Sequence, residues 1–255
     1  MNQEKAPFSS LARVYDAIFA DVEYDDWCEF ALETLHSLGW LENPKGTTML
    51  DVACGTGSSS VPYVRRGLVV SGADISADML EVARSKLPEV TFYQQGFLEL
   101  QLDKRFELIT CVFDSLNNLL SLTDLELALQ KIRAHLTPNG IFVFDCNTPL
   151  GVTDLWDDNE FMGDVTLPDG SAHYHWTHQA LESDLGEVTA QIWLMDTQGA
   201  LLEEFTEIHL ERGFSPAQLT SALHKAGFSD VQLLEYPDSA PVTDETPRFW
   251  GFARA

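Results

Sequence analysis

The chain is poor in positive charge. Its 255 residues carry 15 Lys and Arg against 40 Asp and Glu, a formal net charge of −25. That balance repels a phosphate backbone, so nucleic acid is an unsuitable partner unless basic residues cluster locally. They do not cluster: Arg65-Arg66 and Lys104-Arg105 are isolated pairs. The same repulsion disfavours an anionic membrane surface. Long apolar runs are missing too, and none approaches the roughly 20 residues of a membrane-spanning helix. The opening MNQEKAPF lacks the apolar core of an export signal, so a cytoplasmic protein is expected. Cysteine is scarce: Cys28, Cys54, Cys111 and Cys146 show no metal-ligand spacing, and the last three border or sit in apolar runs. They read as reduced core thiols. His173, His175, His178 and His209 complete no ligand set of known spacing, so no metal site is expected.

What is present is organised around Thr47 to Gly67, TTMLDVACGTGSSSVPYVRRG. Met49 to Ala53 is a short apolar run suited to a strand buried on both faces. Gly55-Thr56-Gly57 predicts a tight turn, Ser58, Ser59 and Ser60 offer N-cap hydroxyls, and Pro62 suits a first helical turn. Strand, glycine turn and helix N-terminus together let backbone approach a polar ligand. A second apolar run, Leu68 to Ala73, ends in Asp74, placed to accept from two ribose hydroxyls. A dinucleotide site would want a third glycine where Ser60 stands, and no basic residue is near. Asp51 can reach an ammonium, directly or through water, and the amides after Gly55 can receive a carboxylate. The ligand implied is a nucleoside joined to an amino acid: S-adenosylmethionine. The turn residues Ala53, Cys54, Gly55 and Gly57 are its candidate contacts, with Asp51 and Asp74.

LDVACGTGSSS followed by GADISADML resembles the class I S-adenosylmethionine-dependent methyltransferases. The resemblance continues in Tyr15-Asp16 with Tyr24, in F-D-S-x-N at 113–117, in the P-x-G-x-F-x-F-D-x-N-T stretch at 138–148, and in Glu207-x-His209-x-x-Arg212. These are similar to a subgroup acting on small molecules, sugar-amine N-methyltransferases among them. It implies that Tyr15 approaches the methionine end of the cofactor and that Ile75 and Met79 lie beside the adenine. Gly96-Phe97 stands where the family usually has Asp before an apolar residue, which implies one adenine hydrogen bond fewer, with Phe97 backbone still near the ring. Phe113 and Asp114 follow at a strand end, the edge where open α/β sheets bind ligands.

The predicted fold is α/β: a doubly wound, Rossmann-like, mostly parallel seven-stranded sheet with an inserted antiparallel β-meander lobe. Residues 1–149 hold two lead helices (8–39), the first capped by Ser9 or Ser10, and the cofactor-binding half. Residues 150–213 break the alternation: an acidic segment with Leu155, Trp156 and Phe161 suits a lid. Period-two runs at 173–183, 187–196 and 201–212 then predict three strands of a substrate lobe. Residues 214–255 add a helix, with Ser215 and Gln218 as its capping box, and a closing strand pair. Thr123 with Glu126 predicts another capping box, and Pro138-Asn139-Gly140 a turn.

The activity expected is methyl transfer to N or O of a small-molecule acceptor, by a monomer or homodimer. A non-catalytic S-adenosylmethionine-binding protein is the alternative. A hydroxyl acceptor needs a base; His209, Glu207, Asp114 and Tyr15 are the candidates, and His209 is the one whose ordinary chemistry suits neutral pH. An acidic lobe favours a neutral or cationic acceptor.

Overall fold

A computed structural model of the chain describes residues 3–153 and 159–255. The elements in chain order are β1 (Gln3–Lys5), α1 (Ala12–Ile18), α2 (Tyr24–Ser37), β2 (Thr48–Val52), α3 (Val61–Arg65), β3 (Val69–Asp74) and α4 (Ala77–Lys86). They continue with β4 (Thr91–Gln94), β5 (Phe106–Cys111), a 3-10 turn (Ser115–Asn118), α5 (Leu122–Ala134), β6 (Leu136–Asn147) and α6 (Pro149–Val152). The last are β7 (Glu160–Leu167), β8 (Gly170–Glu182), β9 (Leu185–Asp196), β10 (Leu201–Arg212), α7 (Pro216–Ala226), β11 (Asp230–Leu234) and β12 (Arg248–Arg254).

Seven strands form the main sheet in the order β11-β12-β6-β5-β2-β3-β4. All neighbours are parallel except β12 against β6 and β11 against β12. Both faces are covered, which is why its strands read as continuous apolar runs. On one face Phe30 and Leu35 of α2 pack on Met49, Leu108, Val143, Trp250 and Phe252. On the other, Leu125, Leu129 and Ile132 of α5 and Leu219 and Leu223 of α7 pack on Phe142, Phe144 and Phe249.

The second sheet has five described strands, β1-β10-β9-β8-β7. The three predicted strands are its centre. Two more were not legible: β7, paired antiparallel with β8 from Glu160↔Thr177 to Leu167↔Gly170, and the three-residue β1, parallel to β10. The lobe therefore draws on the N-terminus as well as on 150–213. Alternation along β10 turns Phe205, Glu207, His209 and Glu211 inward. Phe205, Ala172 and Ile192 pack against Leu11 and Val14 of the lead segment. Leu155 and Trp156 of the expected lid lie outside the described residues; Phe161 is an exposed residue of β7.

Three local expectations need correction. Ser121 caps α5 by accepting from Asp124 N, so Thr123 is not the cap. Neither Ser9 nor Ser10 caps α1, whose N-cap is Leu11. Pro138-Asn139-Gly140 lies within β6, where a register shift against β5 absorbs it instead of a turn. The Ser215–Gln218 capping box is formed as the spacing predicts.

Asn117 joins the two sheets. Fully buried, it donates from Nδ2 to the carbonyls of Asn147 (2.9 Å) and Arg212 (2.8 Å) and accepts from Asn147 N (2.9 Å). Asn117→Ala orphans these backbone groups and is expected to cost roughly 1–3 kcal/mol of stability. A lowered midpoint in denaturant titration checks this.

Candidate active site

The glycine turn is built as the sequence requires. Ala53, Gly55 and Gly57 all have positive φ (57°, 52° and 77°), and nothing stands within 4 Å of where a Cβ of Gly55 would be. Backbone thus borders open space at the C-terminal end of β2. Gly57 instead lets α4 approach, since its Cβ would meet Ala83 at 3.4 Å. Cys54 is buried beneath the turn, its sulfur against Gly72.

Asp51 is 1% exposed and accepts from Ser59 Oγ (2.8 Å), Ser60 Oγ (2.6 Å) and Thr110 Oγ1 (2.8 Å). Burial raises its pKa, against these three hydrogen bonds. The serines expected as N-caps therefore serve a carboxylate: Ser60 at the α3 N-cap makes no side-chain cap. Both carboxylate oxygens of Asp51 are thus engaged by hydroxyls, two of them from the residues that follow the turn.

Asp74 ends β3 and bridges the turn, accepting from Gly55 N and Ser76 N, both at 2.8 Å. Ile75 beside it is exposed and leans over Gly96, its Cδ1 3.1 Å from where a Cβ there would stand. Glu99 Oε2 stands 3.0 Å from the same point, so a carboxylate flanks this slot although residue 96 has none. Phe97 is half-buried against the main core. Met79 is corrected: 1% exposed, it packs inward from α4 and does not face the slot.

α1 crosses the opposite side of the turn. Asp16 accepts from Thr56 Oγ1 (2.6 Å) and Ser58 Oγ (2.9 Å) and pairs with Lys86 Nζ (2.7 Å), fixing the helix to the glycine turn. Half-buried Tyr15 packs on Phe19 with ring centroids 4.6 Å apart. Burial, then Tyr24, Asp114, Asp74 and Asp16, push its phenol well above its ordinary pKa. The phenol stays protonated at neutral pH, which does not suit Tyr15 to act as a base. Glu207 is corrected as well. Its carboxylate accepts from Phe8 N (2.7 Å), Leu11 N (2.9 Å) and Ser9 Oγ (3.2 Å), which makes it the anchor of the lead segment.

His209 is 4% exposed, with Phe8 edge-on at 4.5 Å and Trp176 parallel at 6.3 Å. Neither ring nitrogen has a hydrogen-bond partner among the described residues; Glu207 Oε2, 3.5 Å from Nε2, lacks the geometry. Trp176 Nε1 is likewise buried without a partner. Orphaned buried donors and acceptors cost about 1–3 kcal/mol each, and a polar ligand that pairs with them removes that cost.

The sequence reading named Asp114 but missed its charged partners Asp145, Glu211 and Arg248, which gather at the ends of β5, β6, β10 and β12. Phe113 and Asp114 both have positive φ (63° and 49°), held by Asp114 N donating to Asp145 Oδ2 at 3.0 Å. Arg248 contacts that carboxylate through Nε (2.7 Å) and Nη2 (2.5 Å), and Asp114 Oδ2 through Nη1 (3.7 Å). Its guanidinium lies over Trp27 (5.3 Å) and Phe113 (5.7 Å). Burial opposes its charge, but Asp145 and Asp114 outweigh burial and raise its pKa. Asn147 Nδ2 donates to Asp114 Oδ2 at 2.9 Å. Glu211, 9% exposed, completes the cluster. Burial first, then Asp114, raise its pKa well above the carboxylate range, with Arg248 opposing. Inward period-two alternation in β10 was its only sequence signal.

A family profile described as a methyltransferase domain matches residues 49–140. The chain is 27% identical over 198 residues to dTDP-3-amino-3,4,6-trideoxy-α-D-glucopyranose N,N-dimethyltransferase of Streptomyces venezuelae, covering 78% of this chain and 80% of that one. It is 26% identical over 249 residues to dTDP-4-amino-2,3,4,6-tetradeoxy-D-glucose N,N-dimethyltransferase of Saccharopolyspora spinosa (94% and 96%). The crystal structure of an S-adenosylmethionine-dependent methyltransferase from Clostridium acetobutylicum superposes with a TM-score of 0.80 at 25% identity, over 96% of this chain and 97% of that one. The chain is an S-adenosylmethionine-dependent methyltransferase.

The methyltransferase has a glycine turn bordering open space and, at the next strand end, a buried aspartate bonded to that turn. Its site also dictates a pH dependence. Glu211 has a raised folded pKa, so its contribution to stability is full below its unfolded pKa of about 4.3 and is lost as pH rises through the folded value. Glu211→Gln does not titrate. The stability of that variant relative to the parent is therefore expected to increase from acid toward neutral pH, and urea titrations across that range measure it.

Proposed function

We propose that this methyltransferase acts on the amine nitrogen of a small molecule of the amino-sugar type. The carrying observation is the buried carboxylate-rich cluster of Asp114, Asp145 and Glu211 beside the open end of the sheet, with one guanidinium among them. An amine nucleophile needs only positioning and loss of a proton, and an acidic wall favours it over an anionic acceptor. The dTDP-amino-sugar N,N-dimethyltransferases among the relatives support the same reading.

Bound S-adenosylmethionine supplies an electrophilic methyl on a sulfonium. In the roles we assign, Asp74 accepts from the ribose, and Ala53, Gly55 and Gly57 shape the turn that admits the cofactor. Asp51 holds that turn from below through Ser59 and Ser60. Ile75, Gly96 and Phe97 border the adenine, with Glu99 in place of the acid residue 96 lacks. Tyr15 and Phe113 cover the methionine end, and Asp114 faces the acceptor. His209, with Trp176, lines the acceptor side under the lobe formed by 150–213 and β1.

Micromolar binding of S-adenosylhomocysteine in calorimetry, with none of NAD, is expected; Asp74→Ala should weaken it by at least about tenfold. Glu99→Gln should weaken it less, and an unchanged affinity would remove Glu99 from the adenine site. His209→Ala is expected to spare that affinity and lower turnover of an amino sugar. Methylation of the matching hydroxy sugar at equal rate would sink the amine assignment.

A further inference from the structure

The cluster around Arg248 is unbalanced. Asp114 and Asp145 already outnumber its single guanidinium, and Glu211 adds a third carboxyl. Burying such an excess of negative charge is unfavourable, so the unliganded site keeps a proton. The groups facing Glu211 come from three elements: Asp114 after β5, Asp145 and Asn147 on β6, and Arg248 on β12. None is a second cation. Other cations nearby are also engaged: Arg212 with Asp184 (2.5 Å) and Glu182 (3.4 Å), Lys86 with Asp16 (2.7 Å).

Two carboxylate oxygens in this buried cluster have no hydrogen-bond partner among the described residues: Glu211 Oε2 and Asp145 Oδ1. Asp145 is fully buried and Glu211 nine-tenths buried. A site short of one positive charge, with bare buried acceptor oxygens, matches an alkylammonium group.

We propose that Glu211, with Asp114 beside it, is the seat of the acceptor's ammonium group and the base that deprotonates it. The inference rests on the amine-methyltransferase reading above. When R–NH3⁺ enters, the Glu211 carboxyl releases its proton to solvent and the ammonium takes the place of that charge. The Glu211 carboxylate then takes a proton from the ammonium, leaving R–NH2 with its lone pair free for the sulfonium methyl. The N–C bond forms as the S–C bond breaks, the electron pair stays on sulfur, and R–NH2⁺–CH3 leaves as a cation. Glu211 ends protonated, as it began, and one proton per turnover reaches solvent. The same charge inventory selects against an acceptor carrying a diphosphate, which needs unpaired cations. In this the chain departs from relatives named for dTDP-sugars.

The test is calorimetry on the full chain loaded with S-adenosylhomocysteine, titrated with cyclohexylammonium and with its neutral isostere cyclohexanol, in two buffers of different ionisation enthalpy. The ammonium is expected to bind at least about tenfold more tightly than the alcohol and to release close to one proton. Glu211→Gln is expected to abolish the proton release and bring the ammonium down to the affinity of the alcohol, while keeping S-adenosylhomocysteine affinity within about twofold. Equal binding of the two probes, binding of neither, or proton release that survives in Glu211→Gln overturns the seat. Failure of the parent protein to bind S-adenosylhomocysteine overturns the functional reading instead, and the seat with it. An infrared difference spectrum of parent against Glu211→Gln gives an independent readout. The carbonyl stretch of a protonated carboxyl must appear at neutral pH in the parent alone, and its absence also overturns the proposal.

Discussion

Arg248 is the contact on which the site end of the molecule depends. It begins the last strand, reaches Asp145 at the end of β6 and Asp114 after β5, and is roofed by Trp27 of α2 and by Phe113. Removing one partner of a buried pair leaves an uncompensated charge, at a cost of about 3–5 kcal/mol. More hangs on this arginine than its own energy. Asp145, which it positions, receives the amide of Asp114 and so holds two consecutive left-handed residues in a conformation they would not otherwise keep. That conformation turns Asp114 into the cluster and sets the Phe113 ring over the guanidinium.

The lead helix shows a second kind of dependence. A helix of seven residues has no stability of its own in water. α1 stays in place because it is gripped at both ends by carboxylates of opposite origin. Glu207, from the lobe, receives the amides of Phe8 and Leu11; Asp16, from the helix, receives hydroxyls of the glycine turn and Lys86. The lead segment is thereby both a strand of the lobe, through β1, and a brace of the glycine turn. Its Tyr15 phenol is carried toward Asp114 and Asp74 without ionising.

Charge explains why a chain with such an excess of acid tolerates a site built of acids. Several acids at the site are neutralised locally or stripped of water: Asp51 by three hydroxyls, Asp74 by two amides, Glu207 by two amides and a hydroxyl. Fixed dipoles replace counter-ions there. The cluster at Arg248 is the exception, and that imbalance suits it to a cationic acceptor.

The mostly parallel sheet, the glycine turn, Asp74 and the period-two lobe were legible because each rests on local chemistry. Glycine spacing, continuous apolar runs and alternation are properties of neighbours in the chain. Misreadings came where a residue's partner is distant. The serines after the glycine turn have N-cap chemistry, yet Ser59 and Ser60 serve Asp51, eight and nine positions back across the turn. Glu207 and Met79 have the right residue types for a site and are drawn into anchoring and core packing. β1 is too short to signal itself and exists because β10 offers an unpaired edge. By itself, then, the sequence determined the fold class, the cofactor and the glycine turn, since backbone conformation and burial periodicity are written locally. Tertiary structure alone decided which carboxylates converge at the strand ends. Asp114, Asp145, Glu211 and Arg248 lie on four separate strands or strand ends, and only their convergence makes a site short of one positive charge.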